Sequence, residues 1–147
     1  MMKETSFNLK DGMKIYGGFT KRDSLTARNF DNNPTVLSGD IDGNDVVTDG
    51  ITQRLRDLRG NNSFHVVYAD GRTTPINDAT LLDGFVITGG WANGKSDNQR
   101  SGGGMYCNAS QEQHLESPVK QYRFHENAAD HGGGAMYNRI AIVPPKA

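Results

Sequence analysis

Apolar residues along the chain come in short bursts. They are Ser6–Leu9, Met13–Phe19, Thr35–Leu37, Phe64–Tyr68, Thr80–Thr88, Gly104–Cys107, Val119–Phe124 and Ala135–Val143, each set off by Gly, Asn or Asp. Most are too short for a helix and suit strands. In MKIYGGF (13–19), Met13 and Ile15 alternate with Lys14 and Tyr16, which predicts one buried face. In LLDGFVITGG (81–90), Leu82, Phe85 and Ile87 can all point into a core if Gly84 absorbs a bend or bulge. One window has helical spacing. In DGITQRLRDLRG (49–60), Ile51, Leu55 and Leu58 fall on one helical face, with Asp49 as cap and Gly60 as stop. This predicts a short helix inside an excursion over 45–62. A second excursion, WANGKSDNQR (91–100), is polar without periodicity and reads as a loop. Pro144 and Pro145 stop a last strand.

The chain also repeats itself. GGGMYCN (102–108) aligns without gaps on GGGAMYN (132–138), which sets Cys107 equivalent to Tyr137. The triplets Gly102, Gly103, Gly104 and Gly132, Gly133, Gly134 could be a phosphate cradle, a linker or a backbone corner. A cradle leads into a helix, usually with a Lys, and neither triplet does. The corner reading follows, and with it stacked parallel strands in which one turn recurs.

The string SPVKQYRFHENAADHGGGAMYN (117–138) resembles the repeat of chlamydial-type polymorphic outer-membrane proteins, whose signatures are F-x-x-N and G-G-A-[ILMV]. Phe124 to Asn127 fits the first, and Gly133 to Met136 the second. IYGGF (15–19), TVLSGDIDGND (35–45), NNSFHVV (61–67) and LDGFVITGG (82–90) resemble blocks of bacterial right-handed parallel β-helix surface proteins. The resemblance implies an all-β fold: a short right-handed parallel β-helix of about four rungs, with a short helix in an inserted loop. It further implies a single domain over 1–147, a truncated or stand-alone segment of a longer type, located outside the cell or on its surface. The open ends of such a coil would be capped or would pair, giving a homo-oligomer. The sequence departs from the pattern where GGFTKRDSLTAR lacks the Gly-x-Glu that often follows GGF, and where SQEQHLE (110–116) is inserted.

Composition narrows the function classes. Net charge is −1 and the pI about 6.4, so no charge excess draws the chain to nucleic acid. No apolar run approaches the ~18 residues of a membrane span. The 18 Gly, 13 Asp and 13 Asn describe a protein rich in turns. Cys107 stands alone, so there is no intrachain disulfide. The opening MMKETSFNLKDGM does not read as a secretory leader, which leaves a cytoplasmic location open.

Candidate chemistry sits in the excursions. Asp40, Asp42, Asn44 and Asp45 place oxygen ligands as calcium loops do, with Asp49 near enough to join. Asp45 stands where an EF-hand needs Gly and Ile51 where it needs Glu, and the same residues also read as an Asx-rich turn. His125, Glu126, Asp130 and His131 lack metalloprotease spacing and read as turn residues; His65 and His114 show no partner. Trp91, Asn93, Asp97 and Arg100 combine a ring, an amide, a carboxylate and a guanidinium, a set able to hold a sugar. Trp91 could equally cover the rim of the core, and Tyr16, Tyr106 and Tyr137 could fill stacks between strands. Three functions remain: a binding or adhesive module for a glycan or protein, a polysaccharide lyase- or hydrolase-like fragment using Arg123, Lys120 and His125, or a self-assembling structural fragment. No carboxylate pair accompanies the second.

Overall fold

The computed structural model describes residues 2–76, 79–109 and 119–140. Twelve strands run through them: β1 (Phe7–Leu9), β2 (Lys14–Tyr16), β3 (Thr35–Ser38), β4 (Val47–Thr48), β5 (Ile51–Thr52), β6 (Val67–Gly71), β7 (Leu81–Thr88), β8 (Trp91–Ala92), β9 (Met105–Ala109), β10 (Val119–His125), β11 (Ala128–Ala129) and β12 (Met136–Ile140). One sheet is parallel in the order β1-β6-β9-β12. In the second, β7 pairs with β10 on one edge and with both β2 and β3 on the other, all parallel. β8 and β11 form a parallel pair, and β4 and β5 an antiparallel one.

This arrangement corrects the expected right-handed parallel β-helix. The strands do not build a solenoid of about four rungs; they sort into several small sheets of mixed direction. Two local features depart from a regular coil. At Gly84 (φ 89°) β7 changes partner, from β2 at Leu81–Asp83 to β3 at Phe85–Thr88. At Asp49 (φ 52°) and Gly50 (φ 76°) the chain makes a tight two-residue hairpin turn, so Ile51 is a strand residue opposite Thr48. The expected helix is therefore reduced to one 3-10 turn at Leu55–Asp57, with Leu55 exposed. An Asp-Gly pair is a stronger hairpin signal than a helix cap.

The core lies between the two larger sheets. Leu9, Val67, Ala69, Met105 and Cys107 come from one, Leu82, Phe85 and Ile87 from the other, with Leu37, Phe124 and Met136 packed against them. The left-handed bend at Gly84 breaks the alternation of β7 and lets all three side chains face inward, as the sequence pattern predicts. The same bend is pinned from outside. Arg28 Nη2 donates to Asp83 Oδ2 at 2.6 Å, and its Nη1 donates to the Gly17 carbonyl at 3.1 Å. Among the described residues, no helix is long and apolar enough to cross a membrane.

The repeated corner is also real, with a shifted register. Met105 pairs with Met136, Tyr106 with Tyr137 and Cys107 with Asn138. The ungapped triplet alignment is therefore off by one, and Cys107 is not the counterpart of Tyr137. Ser101 bridges Gly132, so the left-handed residues Gly102 (φ 71°) and Gly133 (φ 57°) occupy equivalent places. The amide of Gly104 donates to the Gly134 carbonyl at 2.9 Å, and Gly103 packs on Gly134 and Ala128. Asn127 of F-x-x-N ties turns together: its Nδ2 donates to the Ile87 carbonyl at 2.8 Å, and its Oδ1 accepts the Gly90 amide at 3.0 Å. The insertion at 110–116, His114 and the chain beyond Ile140 lie outside the described residues.

The Arg28–Asp83 pair is nearly buried, at 11% and 10% side-chain exposure. Removing one partner strands the other charge. Arg28→Met should lower unfolding free energy by about 3 kcal/mol, and the double replacement with Asp83→Leu should recover most of that loss. Urea denaturation of the single and double variants checks both.

Candidate functional site

The β9–β12 register decides which side chains share a face. Along β6, Val67 and Ala69 enter the core while Tyr68 and Asp70 point outward. Carried across the sheet, the pairing lines up Asn8, Tyr68, Tyr106 and Tyr137 in one outer row. Asp70, Asn108 and Arg139 form the next row. The three tyrosine rings stack, at 5.7 Å and 4° between Tyr68 and Tyr106, and 5.6 Å and 25° between Tyr106 and Tyr137. The His65 ring lies 4.9 Å from Tyr106, and its Nδ1–H donates to the Gly102 carbonyl at 3.0 Å. Tyr106 is enclosed, and burial pushes its phenol pKa up. Burial also lowers the pKa of His65, opposed by the bond to Gly102.

The 91–100 excursion folds over this row. Its 3-10 turn, Asn98–Arg100, places Asn98 Oδ1 to accept the Tyr106 hydroxyl at 2.9 Å and Arg139 Nη1 at 2.7 Å. Between turn and sheet opens a polar cleft of about 170 Å³, lined by Asp97, Asn98, Ser101, Tyr106, His131, Tyr137 and Arg139. It holds a carboxylate, an amide, a guanidinium and an aromatic ring within one small space. That set can hydrogen-bond hydroxyls while a ring packs on the tyrosine.

The sequence-predicted ligand residues are divided by the fold. Asp97 lines the cleft. Trp91 and Asn93 face the N-terminal segment instead: Lys3 Nζ lies 5.8 Å from the Trp91 ring and 5.7 Å from the Phe64 ring, and donates to Asn93 Oδ1 at 3.1 Å. Arg100 contributes main chain, its carbonyl accepting the His131 amide at 2.9 Å. Tyr68, Asn98 and Arg139 are the residues that sequence reasoning missed. The signal was present as an apolar residue followed by Tyr at 67–68, 105–106 and 136–137.

In the acidic loop the carboxylates turn to the chain's own N–H groups. Asp40 Oδ1 accepts the amides of Gly43 and Asn44 at 2.9 and 3.2 Å, and its Oδ2 that of Asp45 at 3.0 Å. Asp42 Oδ2 accepts the Asn61 amide at 3.0 Å. Asp45 is buried, accepting Arg59 N at 2.6 Å and Asn62 Nδ2 at 2.8 Å; burial raises its pKa against these bonds. Asn44 stays exposed, its side chain close to Gly60. Among the described residues, no group of three or more His, Cys, Asp or Glu is placed to hold a metal ion.

The remaining candidates are engaged elsewhere. His125 Nδ1–H donates to the Thr52 carbonyl at 2.8 Å. Arg123 pairs with Asp31 and lies 5.0 Å over the Phe30 ring. The Lys120 side chain lies outside what the structure describes. Cys107 is buried and its thiol pKa is pushed up to about 12, which keeps it unreactive at neutral pH.

His65 gives the site a pH signature. Its folded-state pKa is lowered, so the unfolded chain binds that proton more readily. The stability it contributes is present above the ordinary histidine pKa of about 6.5 and is lost as pH falls toward the folded value. Urea midpoints between about pH 7 and pH 5 should therefore fall more steeply for the native chain than for His65→Gln. No protein-family model matches the chain, and no curated protein or solved structure matches it either.

Proposed function

We propose that the chain is a non-catalytic binding module of the cell surface that takes one ring of a glycan in the cleft beside Tyr137. The observation that carries this reading is the stacked tyrosine row ending in a polar cleft, with Asp97 as acceptor and the Asn98 amide nitrogen and Arg139 as donors. At about 170 Å³ the cleft is smaller than the ~300–1,000 Å³ of sites that enclose a whole small molecule. It suits one ring-sized group of a larger ligand, with the rest left in solvent. The surface location rests on the resemblance carried by Phe124 to Asn127 and Gly133 to Met136.

A second reading, association with another copy of the chain, is supported at the opposite end of the first sheet. β1 is an edge strand there, and Phe7, Met13 and Ile15 are exposed around an apolar groove of about 270 Å³ floored by Leu9, Leu82 and Phe85. Sedimentation should show a concentration-dependent dimer or larger species that Ile15→Lys abolishes.

Glycan-array binding followed by calorimetry tests the main reading. Arg139→Ala, at an exposed position, should weaken binding about tenfold while leaving the melting temperature unchanged. Unaltered affinity in that variant would count against the cleft.

A further inference from the structure

We infer that the ligand of this face is an extended oligosaccharide chain, which fills a second cleft at the Tyr68 end of the tyrosine row. The inference rests on the glycan reading above and names the form of the ligand. The second cleft, of about 600 Å³, lies between the end of β1 and the end of β6. Asn8 and Lys10 stand on one side of it, and Tyr68, Asp70, Thr73 and Thr74 on the other. Its volume falls in the ~300–1,000 Å³ range of sites that enclose small molecules.

Both clefts open on one face of one sheet. Tyr68, Tyr106 and Tyr137 are in register, so Tyr68 and Tyr137 are separated by two ring steps of 5.7 and 5.6 Å. Tyr106, between them, is 1% exposed and belongs to the scaffold; the half-buried end rings each border a cleft. The two clefts also offer the same chemistry. Each has a tyrosine ring, a carboxylate, an amide and hydroxyl or cationic groups. In the larger one, Arg72 Nε and Nη2 donate to the two Asp70 oxygens at 2.8 and 2.6 Å. That fork holds the carboxylate in one orientation as an acceptor, and Arg72 keeps its pKa below the ordinary range. Thr73 and Thr74 add exposed hydroxyls beside it.

Two like clefts on one face suit a polymer whose successive rings present the same groups. A chain that reaches both binds its second cleft at high effective concentration, so affinity grows with length. A lone sugar occupies one cleft at a time and has no such gain.

Calorimetry with cello-, xylo- and galacturono-oligosaccharide ladders, from disaccharide to hexasaccharide, reads this directly. The hexasaccharide of the ladder that binds should bind at least about tenfold tighter than its disaccharide. Thr74→Arg, at an exposed position, fills the larger cleft and should erase the gain of affinity with length. Equal affinity along the ladder, or a gain that survives Thr74→Arg, overturns the inference and leaves the single-ring reading standing. Absence of binding to every ladder overturns both.

Discussion

Parallel strands stacked in register bring like residues onto like, and in this chain the register of β6, β9 and β12 decides everything that follows. With Tyr106 opposite Tyr137, Met105 and Cys107 enter the core and the three tyrosines form one outer row. A slip of one residue would reverse both faces at once, sending the aromatic rings inward and the apolar residues out. The core and the candidate site are thus two sides of a single pairing decision. The left-handed pair Gly102 and Gly133 helps to hold it, since both bend the chain at equivalent points just before the strands.

The second sheet supplies the opposing half of the core and is shaped by a different device. Gly84 interrupts β7 so that Leu82, Phe85 and Ile87 all reach the interior, and Arg28 closes over the interruption through Asp83 and the Gly17 carbonyl. Asn127 links this sheet's turns through Ile87 and Gly90. Polar side chains that bond backbone groups in this way fix turns that have little apolar area of their own. The 91–100 loop is then free to lay Asn98 across Tyr106 and Arg139 and close one wall of a cleft.

Much of the local structure was legible in the residues. The short strands, the bend at Gly84 and the reading of the glycine triplets as a corner follow from spacing and turn chemistry. The architecture was not: a repeat predicts stacking, yet the strands sort into several small sheets, and the Asp49-Gly50 hairpin sets an antiparallel pair among parallel ones. The helix over 49–60 failed because the hairpin drew Ile51 into a strand, leaving its apolar spacing without a helical face. The site was half legible. Asp97 was found from loop polarity, whereas Trp91 and Asn93 are taken up by Lys3, a contact across the chain that no local pattern encodes. The stacking of Tyr106 and Tyr137 follows from their strand positions, whereas Tyr16 lies against Arg28 and Tyr68 takes its place in the row; aligning the repeats on Met-Tyr gives the true register.

Core and site both rest on this register, and aromatic nuclear Overhauser effects between selectively labelled residues read it out. Cross-peaks between the ring protons of Tyr106 and Tyr137, together with contacts between Met105 and Met136, are the expected result. Tyr137 ring protons in contact with Cys107 in place of Tyr106 would show the glycine-aligned register, and the tyrosine row would not exist.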